Sequence, residues 1–400
     1  MARPAGNTRL KAARLAAGYH SQQALADALG VGVRQVRRWE SDQPPMPHPE
    51  VAQALTQLLG QDLASLGFAP DGSAPARRTV LTAVGLATVP TQAVAVQPAT
   101  AADDYEAVTR SHRRLYWSVA PATLHPAAIA HATLGCALLP EAAGQTRRRI
   151  AAALGETYLL AGRIEFFDMR EPDRAQHTLL RALQAAGEAD DPLMGSAVLA
   201  HMAFIPAWDG DRDAAVERMV AARTYARRGP ASAELLAWLD AVEAECEARC
   251  GHPRTALHLI GHAEDVLGDG SEHPSPAWLD WFSAVRLAAF KGNTQLIAGH
   301  LPQARETLLG VLDALDPEEK QATVVLGDLA AVEAAAGDPE AACGYALRAL
   351  DQLERTWYAM GMDRVREVRR ALAPHQHERC VRELDDRLYG WSTTVSALAR

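Results

Sequence analysis

The residues best placed to do chemistry lie in Val33-Arg34-Gln35-Val36-Arg37-Arg38-Trp39-Glu40. Arg34 and Arg38 are four positions apart. On a helix turning roughly 100° per residue they stand about 40° from each other and point the same way. A guanidinium donates two parallel hydrogen bonds, and the paired contact of Arg with guanine O6 and N7 is the commonest specific contact in the DNA major groove. Val33, on the same free face, can pack on a thymine methyl. Arg37 and Arg14 are better suited to phosphate oxygens than to bases. Between Arg9 and Arg38 there are six basic residues and one acid, Asp27, whereas the whole chain carries a net charge of −9. An acidic protein with one basic patch repels DNA everywhere except at that patch.

Other clusters carry less. Cys246 and Cys250 are one helical turn apart, with His252, His258 and His262 downstream. They can be read as zinc ligands, but the usual zinc spacing is missing, and a helix face with structural cysteines is the simpler reading. No metal or other cofactor is therefore expected. The phosphate-binding Gly-Lys-Ser/Thr, the Gly-x-Ser-x-Gly nucleophile turn and the His-Glu-x-x-His metal motif are all absent, so the chain reads as a binding protein and not an enzyme. Five cysteines, an odd number in a long chain, fit reduced thiols and a cytoplasmic location. No uninterrupted apolar run of membrane-spanning length is apparent, and no membrane partner is expected. Arg77-Arg78 ahead of an apolar stretch to Val96 looks like a twin-arginine export signal, but it follows a whole domain and is interrupted by Pro90. A linker is the plainer reading.

The elements that must position the arginines are helices. Leu10, Ala13 and Ala17 recur at helical spacing before Gly18. Ser21 is placed to cap a second helix carrying Leu25 and Leu29, and Gly30-Val31-Gly32 turns into a third from about Val33 to Glu40. Prolines 44, 45, 47 and 49 cannot continue it. Val51, Ala54, Leu55 and Leu58 mark a fourth helix, and Leu63 to Phe68 a short fifth. Residues 1–68 thus form a five-helix domain, 69–100 a linker rich in Pro, Ala, Thr and Gly, and 101–400 a long helical domain.

The run from Gln22 to Glu40 resembles the helix-turn-helix of the phage-repressor-like, or xenobiotic-response-element (XRE), transcriptional regulators. Their pattern is Gln, Leu-Ala, Gly-Val and then a recognition helix ending in Trp-Glu. The resemblance covers about 60 of the 400 residues. It implies double-stranded DNA as partner, with Val33, Arg34 and Arg38 at base-facing positions and Gln22 gripping phosphate. The first turn, Tyr19-His20-Ser21, is one residue longer than usual, and Gly32 replaces the usual Ser or Thr cap. Such regulators commonly bind as homodimers, with half-sites about 34 Å or a multiple apart.

The remainder, 101–400, shows no two-residue alternation. Gly210-Asp211, Gly251-His252-Pro253, Gly299-His300 and Gly337-Asp338-Pro339 each precede a helix with small residues. Ala175, Ala214, Ala256, Ala304 and Ala341 stand at intervals of 39, 42, 48 and 37. Irregular periods near 40 suit helix pairs stacked into an α-solenoid, and the pattern resembles tetratricopeptide repeats. An alanine-rich bundle is the alternative. The fold class is all-α. The resemblance implies a bacterial transcriptional regulator whose repeats dimerise and sense an effector or partner; a protein-interaction scaffold with an accessory helix-turn-helix is the alternative. Asn293 is the only asparagine within the repeats, while Tyr158, Phe166, Phe167, Trp208, Trp238, Trp278 and Trp281 are available there. That balance favours a small apolar molecule or a protein segment over an extended peptide, whose backbone is best held by carboxamides.

Overall fold

The computed structural model describes residues 7–41, 44–61, 63, 65–68, 97–316 and 320–398, with backbone alone at 49, 50 and 392–398. Every regular element among them is helical. The chain divides into two compact units, Met1–Val89 and Pro90–Arg400. The expected linker lies outside the described residues as far as residue 96, and so does the apolar stretch after Arg77-Arg78.

The first unit contains α1 (Thr8–Ala16), α2 (Gln22–Ala28), α3 (Val33–Trp39) and α4 (Pro49–Leu59). Asn7 caps α1 by accepting from the Leu10 amide, and Ser21 caps α2 by accepting from the Ala24 amide at 3.0 Å. In place of the expected fifth helix, the described residues 63 and 65–67 form turns, closed where the Phe68 amide donates to the Leu63 carbonyl at 2.9 Å. The reason is tertiary: the Leu66 carbonyl accepts from the Asn7 side chain at 2.9 Å, and Leu66 and Phe68 are drawn into the core. There they meet Leu10, Leu25, Val36 and Trp39, with Phe68 edge-on to the Trp39 ring at 6.4 Å.

The second unit begins with α5 (Ala99–Leu115), α6 (Pro121–Leu138), α7 (Gly144–Arg163), α8 (Pro172–Ala189), α9 (Pro192–Trp208) and α10 (Arg212–Ala226). It continues through α11 (Ala233–Arg249), α12 (Pro253–Asp269), α13 (Ala284–Ile297), α14 (Leu301–Ala314), α15 (Gln321–Ala336), α16 (Pro339–Arg355), α17 (Ala359–Ala371) and α18 (Arg379–Leu398). Helices α7 to α16 pack as successive pairs, and the first helix of each pair also packs on the first helix of the next. Helices α5 and α6 cover α7, while α17 packs on α15 and α18 on α16. This is the helix-pair stacking of an α-solenoid.

The repeat signal has a local cause. The turns inside four pairs place Gly210, Gly251, Gly299 and Gly337 at φ of 77°, 84°, 79° and 83°, the left-handed region that a side chain resists. Five residues after each comes an alanine with almost no exposure: Ala215, Ala256, Ala304 and Ala342. In two repeats the buried alanine is therefore one residue later than Ala214 and Ala341, the positions that spacing selects. The α7–α8 turn obeys the same offset, but Arg170 holds the left-handed position at φ 61°, five before the buried Ala175.

Helix α6 corrects the expectation about apolar runs. Extended to Glu141, it is long and apolar enough to cross a membrane by length and composition, and a third of it is buried. Its His125, buried, meets the fully buried Glu165 at 2.8 Å, which ties α6 into the helical core.

Candidate nucleic-acid interface

Helix α3 is short, and what surrounds it fixes it. Val36 and Trp39 are buried, so at roughly 100° per residue the opposite arc is centred on Arg34, with Arg37 and Arg38 on either side. All three arginines are exposed, as is Gln35. No carboxylate among the described residues pairs with them. Arg9 and Lys11 on α1 are also exposed, as is the acid Asp27, to whose carboxylate Gln23 donates at 2.6 Å.

Just after α3, Glu40 holds the arrangement together. One carboxylate oxygen accepts from Arg14 Nε at 2.7 Å and the other from Gln22 Nε2 at 2.6 Å. Arg14 also donates to the Tyr19 carbonyl at 2.6 Å. A single carboxylate therefore ties the end of α3 to α1 and to the start of α2. On the other side, Asn7 Nδ2 donates to the carbonyls of Trp39 and Leu66, and the Asn7 amide donates to the Glu40 carbonyl at 2.9 Å. The α2–α3 turn is closed by Gly30 at φ 63° and by the Val31 amide donating to the Ala26 carbonyl at 3.0 Å. Ala26 has no exposure, so α2 and α3 approach without an intervening side chain.

Residues 10–66 match the family model described as helix-turn-helix. Comparison with curated proteins gave no match. The helix-turn-helix is a DNA-binding, transcription-regulatory domain, and α3 is the helix whose free face suits the major groove.

Against the sequence reading, Arg34, Arg37 and Arg38 are brought together on the open face of the helix-turn-helix. Val33 is only partly free, because it packs against the domain core beside Val31 and Leu29. Arg14 is a correction. It is 4% exposed, and its donors are spent on Glu40 and Tyr19, so it braces the domain from inside and does not reach for phosphate. Gln22 keeps part of its surface but shares its amide with Glu40. Sequence reasoning missed Asn7 and the bracing role of Glu40. The Trp-Glu ending of the motif was the available signal for Glu40; Asn7 ahead of a helix is a readable cap, but its Nδ2 bonds are not, since both carbonyls lie far along the chain.

Proposed function

We propose that this protein is a sequence-specific transcriptional regulator of the XRE type. Two copies bind an inverted repeat through α3, and tetratricopeptide-like helix pairs mediate dimerisation and the sensing of an effector or partner. The observation that carries the reading is the row Arg34–Arg37–Arg38, exposed on a helix whose other face is clamped by Trp39, Val36 and the Glu40 bonds. Arg34 and Arg38 read base edges while Arg37 and the partly exposed Gln22 meet phosphate. The role is binding and not catalysis, and its setting is the bacterial cytoplasm, where DNA is accessible.

Footprinting the full chain on the DNA upstream of its own coding sequence tests this. The expected result is protection of two half-sites on one face of the duplex, about 34 Å or a multiple apart. Binding that is indifferent to sequence sinks the regulator. Sedimentation that finds only monomer at micromolar concentration, with and without the protected DNA, sinks the dimer.

A further inference from the structure

The first helices of successive pairs turn one face toward a cleft of about 140 Å³. Aromatic rings make up much of its wall, among them Trp117, Phe167, Phe204, Trp238, Trp281 and Tyr358, alongside charged and polar groups. Three of the seven aromatics noted from sequence are thus here. Trp278 borders a smaller neighbouring cavity, Phe166 is buried, Tyr158 meets the Cys136 thiol at 3.2 Å, and Trp208 lies under Arg249. A cavity near 150 Å³ is large enough for a benzene-sized ligand.

The cleft holds an uncompensated charge. Its lining includes three guanidiniums, Arg163, Arg286 and Arg364, against two carboxylates, Glu245 and Asp328. Asp328 is taken by Arg364 at 3.0 Å and by Asn293 Nδ2 at 3.1 Å, and Glu245 is taken by Arg249 at 3.3 Å. In the neighbouring cavity, which Arg163 also borders, Glu156 is held by Arg113 at 2.5 Å. Behind it, Asp168 pairs with the fully buried Lys320 at 3.1 Å. Arg286 stacks on Trp117 at 4.3 Å and is otherwise engaged.

Whereas Arg364 has Asp328 at 3.0 Å, no carboxylate among the described residues lies within ion-pair distance of Arg163. Its guanidinium faces the rings of Tyr116, Trp281 and Trp117 at 4.9, 4.8 and 5.7 Å, and its buried Nε has no acceptor among the described residues. It stands where α7 widens into a π-helical turn, Ile164–Asp168, the kind of irregularity that recurs at binding sites. His201 beside it is held neutral by burial, its pKa lowered to about 3, and adds no charge. Gln321 Oε1, also on the cleft wall and buried, has no donor among the described residues.

A cation stacked on aromatic faces, with its buried Nε unspent, calls for a planar anion. Arg163 is left as the one lining guanidinium with no acceptor among the described residues, and a single carboxylate matches it; a phosphate monoester, at about −1.5 to −2, would leave charge unpaired. We propose that the cleft binds a small aromatic acid: a single ring bearing one carboxylate, with the carboxylate on Arg163, the ring among Trp238, Trp281 and Phe204, and a ring hydroxyl on Gln321. This deepens the sensing role proposed above and rests on it only for the link to DNA.

Titration calorimetry of the full chain against phenylacetate, 4-hydroxyphenylacetate, phenylacetamide and phenethylamine tests the site without DNA. Both acids are expected to bind, the hydroxy acid tighter, the amide about tenfold or more weaker, and the amine not at all. Arg163→Gln is expected to erase the preference for acid over amide, and Arg163→Lys to retain it. Equal binding of acid and amide, tightest binding by the amine, or saturation by none of the four at millimolar concentration overturns the assignment on the unaltered protein, whether or not the variants fold. A gel shift with and without 4-hydroxyphenylacetate separates the two readings. If the acid binds and operator affinity does not move, the site stands and the sensing role falls. If the operator is bound and no acid binds, this inference falls alone.

Discussion

Arg14 offers the sharpest test, because sequence spacing and structure give it opposite jobs. Its side chain is 5% exposed and that of Glu40 is 7%. Removing one partner of such a pair costs about 3–5 kcal/mol, much of it from leaving the other charge buried and alone. Glu40 keeps its bond from Gln22, so Arg14→Ala belongs at the low end, about 3 kcal/mol. That is about a 150-fold rise in the opening equilibrium of the helix-turn-helix. The second unit has its own cores, so the loss stays local. Amide exchange followed by mass spectrometry on the full chain reads it directly: peptides within 8–40 should lose about 150-fold in protection, and those of α7 to α16 none. The double variant Arg14→Leu, Glu40→Leu should recover most of the loss, because it leaves no lone buried charge. A phosphate contact predicts the reverse pattern, with unchanged exchange and a salt slope of DNA binding shallower by about 0.9. Seeing that pattern would refute the bracing role.

Three further outcomes are expected. Arg34→Ala or Arg38→Ala should cost about 1–3 kcal/mol at the cognate site and relax base preference, whereas Arg37→Ala should weaken all sequences alike and lower the salt slope by about 1; anisotropy titrations at several salt concentrations decide. Gly32 caps α3 at φ −72° and ψ 140° with no side-chain bond and with open space at its Cβ, so Gly32→Ser should stabilise the domain by about 0.5–1 kcal/mol, read as slower amide exchange over α3. Burial lowers the His201 pKa to about 3. The unfolded chain therefore takes up that proton below about pH 6.5 while the folded one does not, and stability falls as pH drops from there toward 3. Between pH 6.5 and 5 this amounts to about 1.6 kcal/mol, and His201→Phe should remove most of it in denaturant melts across that range.

What the sequence alone determined is local. Helix starts and stops were legible because Ser21, Gly18, Gly30 and the glycines at 210, 251, 299 and 337 act within their own turn, through a cap or a left-handed φ. The exposed arginines of α3 were legible for a similar reason: Val36 and Trp39 set the buried face, and helical spacing sets the rest. Tertiary structure decided whatever depends on partners distant in the chain. Arg14 turned inward because Glu40, 26 residues on, needed a cation. Val33 leaned into the core of its own domain, and the described residues 63 and 65–67 form turns because Asn7 claimed the Leu66 carbonyl. The buried alanines moved by one in two repeats because the turn glycine counts the register and average spacing does not. The surplus charge of Arg163 emerged only when every carboxylate around it was seen to be paired, with Arg113, Arg249, Lys320 or Arg364 from other helices or loops. A sequence lists charges, and only the packed chain shows which of them cancel.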